Sequence, residues 1–157
     1  IGTVGSDEKI DIAKKYGCDE VINYSKEDFA KKVMELTDGE GVSVVYDGVG
    51  KSTYDKSIEC LKLRGTMVSF GNASGALDPI IVSKSLQPKG IYFVRPAMNQ
   101  YFTNSEEIHE AANMLFKQIS SGNVKIEIYK KYKLEDAVQA HKDLEGRKIT
   151  GPAVIIP

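Results

Sequence analysis

Val42-Ser43-Val44-Val45-Tyr46-Asp47, followed at once by Gly48-Val49-Gly50, is the stretch on which the fold turns. Six residues are too few for a stable helix, and the β-branched and aromatic content is that of a strand. Its near-continuous apolar character suggests burial on both faces, as in a parallel sheet covered by helices. The glycines that break it place a tight loop at the strand's carboxyl end. Working outward, the same unit recurs. Upstream, Ile1–Val4 reads as a strand, Gly5-Ser6 as its end, and Asp7 to Tyr16 as a helix. Ser6 can cap that helix, Asp7 and Glu8 suit its positive end, and Gly17 stops it. Glu20–Asn23 is a second short strand. Ser25-Lys26-Glu27-Asp28 resembles a capping box opening a helix to Thr37, with Phe29, Val33 and Leu36 toward the core. Downstream, Lys51–Leu61 is predicted helical, Thr66–Phe70 a strand ending in Gly71-Asn72-Ala73, and Ile91–Val94 a strand that Pro96 terminates.

Strands alternating with helices over this span predict an α/β fold with a doubly wound parallel sheet. Near residues 96–104 the texture changes, and a domain boundary is expected there. Beyond it, Ser105–Ser121 reads as one amphipathic helix, with Ile108, Ala112, Leu115, Phe116 and Ile119 on one side. Ile126–Tyr132 alternates as a strand, Leu134–Leu144 is helical, and Ala153–Ile156 is a last strand. The chain lacks an initial Met and opens inside a strand, so it is expected to be a fragment.

Composition narrows the function. Hydrophobic residues make up 41% and charged residues 27%, as in folded globular proteins. The formal net charge of −1 leaves no electrostatic footprint for nucleic acid or an anionic membrane. Nothing approaches the ~18–20 apolar residues of a membrane span. Cys18 and Cys60 stand apart from any His/Cys cluster, so reduced thiols in a cytoplasmic protein and no metal are expected. His109 and His141 have no nucleophile at a recognisable spacing, and they are expected to be solvated or structural.

Ligands of open parallel sheets bind outside the carboxyl ends of the strands. Here those ends are Gly5-Ser6, Asn23-Tyr24, Gly48-Val49-Gly50 and Phe70-Gly71-Asn72, stretches of small, glycine-rich or polar residues. One such loop alone is ordinary; four together suggest a dinucleotide lying along one edge. No GxGxxG or phosphate-binding GxxxxGK[ST] occurs, so a diphosphate loop would have to lie upstream. The first strand ends in Ser6, with Lys9 one turn on, rather than in the acidic residue that holds a ribose 2′-hydroxyl. A hydroxyl, helix N-terminal amides and a cation suit a 2′-phosphate. Asp7 is the contrary sign, unless it serves only the helix dipole, and Lys9 taken alone is equally a solvated lysine. Tyr24 could stack on a base or be merely half-buried.

The segments IGTVGSDEK (1–9), VINYSKEDF (21–29), VVYDGVG (44–50) and MVSFGNASG (67–75), with the terminal strand, together resemble the quinone oxidoreductase branch of the medium-chain dehydrogenase/reductase superfamily, the zeta-crystallin-like proteins. The resemblance runs from residue 1 to 157. It implies an incomplete Rossmann domain over residues 1–98, lacking its first strand and diphosphate loop, and a segment over 99–157 that returns to a GroES-like catalytic domain. It also implies NADP(H) as cofactor, with Ser6 and Lys9 at the 2′-phosphate and Tyr24 near the adenine. Val49, Phe70, Gly71, Asn72 and Ala73 would line the adenosine and nicotinamide portions. Arg95, Pro96 and Ala97 would approach the nicotinamide, and Arg147 would reach the cofactor from the C-terminal portion. The implied reaction is hydride transfer from NADPH to a quinone or activated enone, without zinc and with no general acid or base in these residues. The resemblance further implies a homodimer formed through the edge strand Ile91–Val94. A non-enzymatic nucleotide-binding or dimerisation module and an enoyl reductase are the competing readings. The fragment alone is expected to be inactive and either unstable, aggregating or paired through Ile91–Val94.

Overall fold

The computed structural model describes residues 1–146 and 148–157, which fall into two compact units, Ile1–Thr103 and Asn104–Pro157. In the first unit β1 (Gly2–Val4), α1 (Glu8–Lys15) and β2 (Val21–Asn23) form a parallel strand pair with its crossover helix. Next come α2 (Phe29–Leu36), β3 (Val42–Asp47), α3 (Tyr54–Glu59) and β4 (Leu61–Ser69). Two short helices, α4 (Val82–Ser85) and α5 (Met98–Tyr101), flank β5 (Tyr92–Val94). β3, β4 and β5 form a second parallel sheet in that order, so β5 is an edge strand of that sheet.

Two apolar clusters hold this unit together. Ile22, Phe29, Ala30, Val33 and Cys60 form one, and Leu61, Met67 and Ile91 form the other. Val42 and Val45 of β3 pack against both, which makes β3 the seam between them. Phe29 and Val33 lie one helical turn apart, so the predicted inward face of α2 is the observed one, although Leu36 is exposed. The Lys89 ammonium, from a 3-10 turn before β5, donates to the carbonyls of Glu59 (2.7 Å) and Leu61 (2.6 Å). It thereby satisfies the last carbonyl of α3, complements the negative end of that helix and ties it to the first residue of β4.

Four local expectations are corrected. The cap of α2 is Asp28, whose carboxylate accepts from the amides of Ala30 and Lys31, rather than Ser25. Ser25 instead donates its hydroxyl to the carbonyl of Gly5 (2.8 Å), a tertiary bond that outcompetes the local one. Ser6 makes no side-chain cap on α1, whose N-cap residue is Asp7; its hydroxyl bonds the Glu8 carboxyl and lowers that group's pKa. β3 is covered on one face only, because Val44 and Tyr46 are 40% and 73% exposed. β4 begins at Leu61, where a helix end and turn were expected. Its register jumps from Val42↔Leu61 to Val44↔Thr66, and Arg64 takes a φ of 60° in the irregular stretch between.

The second unit contains α6 (Ser105–Ser120), β6 (Lys130–Lys133), α7 (Ala137–Glu145) and β7 (Ala153–Ile156), with β6 and β7 pairing in parallel. Asn104 caps α6 by accepting from the Glu107 amide. No α6 residue is buried, so its apolar side is uncovered by the described residues of its own unit. The strand predicted from Ile126 starts only at Lys130. The centre of the unit is polar. The buried Asp143 carboxylate accepts from the Tyr132 hydroxyl (2.8 Å), the Gln139 amide (2.8 Å) and the Lys130 ammonium (3.2 Å).

These donors, Tyr132 first, hold the Asp143 carboxyl at a pKa of about 2, below the ordinary 3.8. A depressed carboxyl pKa stabilises the folded state above the unfolded value and loses that contribution as pH falls toward the folded one. The α7–β6 contact is therefore expected to loosen on acidification between about pH 4 and pH 2. Tyr132 ring resonances followed by NMR should report that transition. An Asp143→Asn variant should remove the Asp143-dependent step; its persistence there would assign the titration to another group.

Candidate dinucleotide-binding edge

The strand ends of the first unit gather the predicted residues into two groups. The first lies at the ends of β1 and β2. Gly5 meets Tyr24 so closely that a Cβ there would stand 2.8 Å from the Tyr24 hydroxyl. A larger residue at position 5 would therefore displace the Tyr24 ring. Lys9 is half-buried on the first turn of α1, and Ser6 immediately precedes that helix.

Asp7 stands among them, and its carboxylate is committed elsewhere. Asn23 donates to one oxygen (2.7 Å) and the Lys26 ammonium forms an ion pair with the other. Lys26 and then Asn23 hold the Asp7 carboxyl below the usual carboxylate range. Asp7 is therefore engaged in an exposed pair that links the segments following β1 and β2. Lys26 escaped notice in the sequence because its partner lies across the strand pair.

The second group lies at the ends of β3, β4 and β5, where two loops are stapled together. Ala73 N–H donates to Gly48 O (3.2 Å), Ser74 N–H to Val49 O (2.7 Å) and Lys51 N–H to Gly75 O (3.3 Å). The Ser74 hydroxyl also donates to Val49 O (2.8 Å). The approach is so close that a Cβ on Gly71 would lie 2.3 Å from Gly48 O. A Cβ on Gly48 would meet the Phe70 ring at 2.9 Å. The resulting ledge carries Val49, Phe70, Gly71, Asn72 and Ala73. Phe70 is 56% exposed, an apolar ring available to a ligand. The Arg95 guanidinium reaches back from the end of β5 to the carbonyls of Ser69 (2.6 Å) and Gly71 (3.3 Å). Pro96 and Ala97 follow it, Ala97 being extended at the N-cap of α5. Arg147 lies outside the described residues.

Beneath the ledge sits a residue that sequence reasoning passed over. Asp47 is 5% exposed, and one carboxylate oxygen accepts from the amides of Val49 (2.8 Å) and Gly50 (2.9 Å). The other accepts from the hydroxyls of Thr53 and Ser57, both at 2.8 Å. Four donors satisfy the buried carboxylate without a cation and set the path of the Gly48–Gly50 loop. The signal was present: an Asp before Gly-x-Gly is an Asx-turn pattern. Ser69, next to this ledge, is 1% exposed, and its hydroxyl has no partner among the described residues.

A family model described as zinc-binding dehydrogenase matches residues 16–155. The chain belongs to that family. Among curated proteins it is similar to several quinone oxidoreductases. Quinone oxidoreductase 1 of Escherichia coli is 44% identical over 159 residues, which cover 100% of this chain and 49% of that protein. A 2-haloacrylate reductase of a Burkholderia species is 44% identical over 158 residues, covering 100% of this chain and 47% of that protein. The solved structure of Escherichia coli quinone oxidoreductase complexed with NADPH superimposes with a TM-score of 0.93 at 44% identity. It covers 99% of this chain and 48% of that one. The chain thus spans about half the length of the relatives it matches, and its α/β architecture is that of the Rossmann-type domain.

The family description raises the question of zinc. Among the described residues no group of three His, Cys, Asp or Glu side chains could hold a metal ion. Burial first, and then Glu59, pushes the Cys60 thiol up to about 11, which disfavours the thiolate a metal requires. His109 and His141 are both exposed. The described residues therefore do not form a zinc site. No helix among them is long and apolar enough to cross a membrane.

Proposed function

We propose that this chain is the cofactor-binding part of an NADPH-dependent quinone oxidoreductase, acting by hydride transfer to a quinone or activated enone. The observation that carries the reading is the likeness to the Escherichia coli quinone oxidoreductase–NADPH complex, across nearly the whole chain. The ledge agrees with it, because glycines at 48, 50 and 71 permit close backbone approach by a ligand.

In this reading Ser6 and Lys9 hold the 2′-phosphate, and the N-terminus of α1 adds its positive end. Asp7, neutralised by Lys26 and Asn23, does not repel that phosphate as a free carboxylate would. Tyr24 flanks the adenine. Val49, Phe70, Gly71, Asn72 and Ala73 form the surface under the rest of the cofactor, and Asp47 fixes that surface from below. Arg95 holds the ends of β4 and β5 together, with Pro96 and Ala97 beside the nicotinamide. Arg147 is proposed as a further contact. When bound, NADPH supplies the hydride, and these residues bind and orient it. The quinone pocket and any proton donor are assigned to the part of the protein outside this chain. Residues 1–98 would belong to the Rossmann domain and 99–157 to elements returning to the catalytic domain. Zinc-independence, a cytoplasmic location and a homodimer paired through β5 complete the proposal. The dimer is supported by the free edge of β5, whose Tyr92 is 66% exposed.

The test is a Lys9→Ala variant of the whole protein, titrated with NADPH and NADH beside the parent. Loss of a charge-assisted phosphate contact should weaken NADPH about tenfold or more. NADH binding should be almost unchanged. Equal loss for both cofactors would remove Lys9 from the phosphate site, and no binding of either by the parent would sink the reading. Sedimentation of the same samples reads the dimer, and a monomeric parent would overturn that part.

A further inference from the structure

Lys26 stands in the turn between β2 and α2, and the chain fixes that turn against the end of β1. Tyr24 N–H donates to Val4 O (3.0 Å), which carries the β1–β2 pairing one step further. The Ser25 hydroxyl donates to Gly5 O (2.8 Å). The amides of Lys26 (3.0 Å) and Glu27 (3.1 Å) both donate to Asn23 O. Asn23 itself is only 4% exposed. Its side-chain carbonyl accepts from the Ser25 amide (3.0 Å), and its side-chain N–H donates to Asp7 Oδ1 (2.7 Å). A buried amide thus fixes one carboxylate oxygen of Asp7, and the Lys26 ammonium covers the other, Oδ2.

The two partners of Asp7 differ in what their removal would do. Asn23 is held by the strand pair, so it would keep the carboxylate in place without Lys26. The Lys26 and Asp7 side chains are 67% and 54% exposed, and an exposed pair of this kind contributes little to stability. Its effect is local and electrostatic. Asp7 lies in the chain between Ser6 and Lys9 and is bonded to the residue before Tyr24. It therefore stands amid the residues proposed for the 2′-phosphate and the adenine. At this corner the carboxylates of Asp7 and Glu8 are opposed by the ammonium groups of Lys9 and Lys26. Without Lys26, a carboxylate with one open oxygen would face the cofactor. Such a group repels a phosphate and accepts a hydrogen bond from a ribose 2′-hydroxyl, as acidic residues at this strand end do in NAD sites.

We infer that Lys26 selects the cofactor by masking Asp7. With the mask in place the end of β1 accepts a 2′-phosphate; without it the same carboxylate takes a ribose diol. Lys26 acts through Asp7 and does not itself bind the phosphate. This role rests on NADPH being the cofactor, as proposed above, and adds a selectivity residue to Ser6 and Lys9. The chain carries both signals, an acidic residue that suits NAD and a cation that suits NADP. The β2–α2 turn, pinned by Asn23 and Ser25, decides between them.

The test titrates the whole protein with NADPH and NADH as the parent, as Lys26→Met, as Asp7→Asn and as the double variant. Lys26→Met should weaken NADPH about tenfold and tighten NADH about threefold. The NADPH loss should shrink at about 1 M salt, where the screening length is about 3 Å. Asp7→Asn keeps an acceptor for Asn23 and should bind NADPH at least as tightly as the parent. The double variant should return to within about twofold of the parent for NADPH, because the local charge is balanced again. Lys26→Arg should keep the parent's preference. A double variant as weak as Lys26→Met would overturn the inference, by making Lys26 a phosphate ligand. So would an unchanged NADPH-to-NADH ratio in Lys26→Met, or an equal loss of both cofactors. Either result in a parent that prefers NADPH removes the role of Lys26 alone, whereas a parent that binds neither cofactor removes the NADPH proposal with it.

Discussion

Replacing Asp47 with alanine is expected to lower the stability of the first unit by roughly 3 kcal/mol, because buried donors lose their acceptor at ~1–3 kcal/mol each. Two are amides of the Gly48–Gly50 loop and two are hydroxyls of α3, so the strand end and the helix start come apart together. An open groove beside Thr53 and Ser57 can admit water, which is why the loss stays below the sum of the separate penalties. Asp47→Asn should be far milder, near 1 kcal/mol. The retained carbonyl oxygen keeps both amides, and the Thr53 and Ser57 hydroxyls can rotate to accept. Urea unfolding should show the midpoint falling strongly for alanine and slightly for asparagine, with an unchanged slope. Equal midpoints for parent and alanine variant would show that these bonds contribute nothing net.

Gly71→Ala should have a comparable effect for a different reason. The new Cβ would lie 2.3 Å from Gly48 O, 2.7 Å from Gly48 Cα and 2.8 Å from Gly48 C. All three atoms are backbone, so no side chain can rotate away and the two loops must separate. That movement breaks the bonds from Ala73 to Gly48 and from Ser74 to Val49. The cost is about 3 kcal/mol, at the upper end for overpacking with lost hydrogen bonds. Gly39→Ala is the matched control. Its Cβ would meet nothing within 4 Å, so only the φ of 82° opposes it, for about 1 kcal/mol. In the whole protein, Gly71→Ala should also weaken NADPH binding, whereas Gly39→Ala should not. Indistinguishable melting of the two variants would contradict the close approach of the loops.

Both predictions concern the ledge, and they show where sequence reading reached its limit. The glycines were legible because few other residues permit so tight a strand end, and their recurrence along the chain pointed to a ligand edge. Asp47 was overlooked as the last residue of a strand, since its importance depends on Thr53 and Ser57 folding back beneath it. Lys26 and Asp7 are 19 positions apart, and only the parallel pairing of β1 with β2 brings them together. Ser25 matched the local rule for a helix cap but spends its hydroxyl on Gly5, 20 residues away.

The alternation of strand and helix, the inward face of α2 at Phe29 and Val33, and the glycine-rich strand ends were legible from residue order alone. These follow from side-chain periodicity and backbone sterics, which act over a few residues. That β4 starts at Leu61, that Asp7 pairs with Lys26, and that an open groove separates β1 from β3 emerge only from the folded chain. Each depends on which distant groups meet, and a buried donor or acceptor takes the partner that packing brings to it.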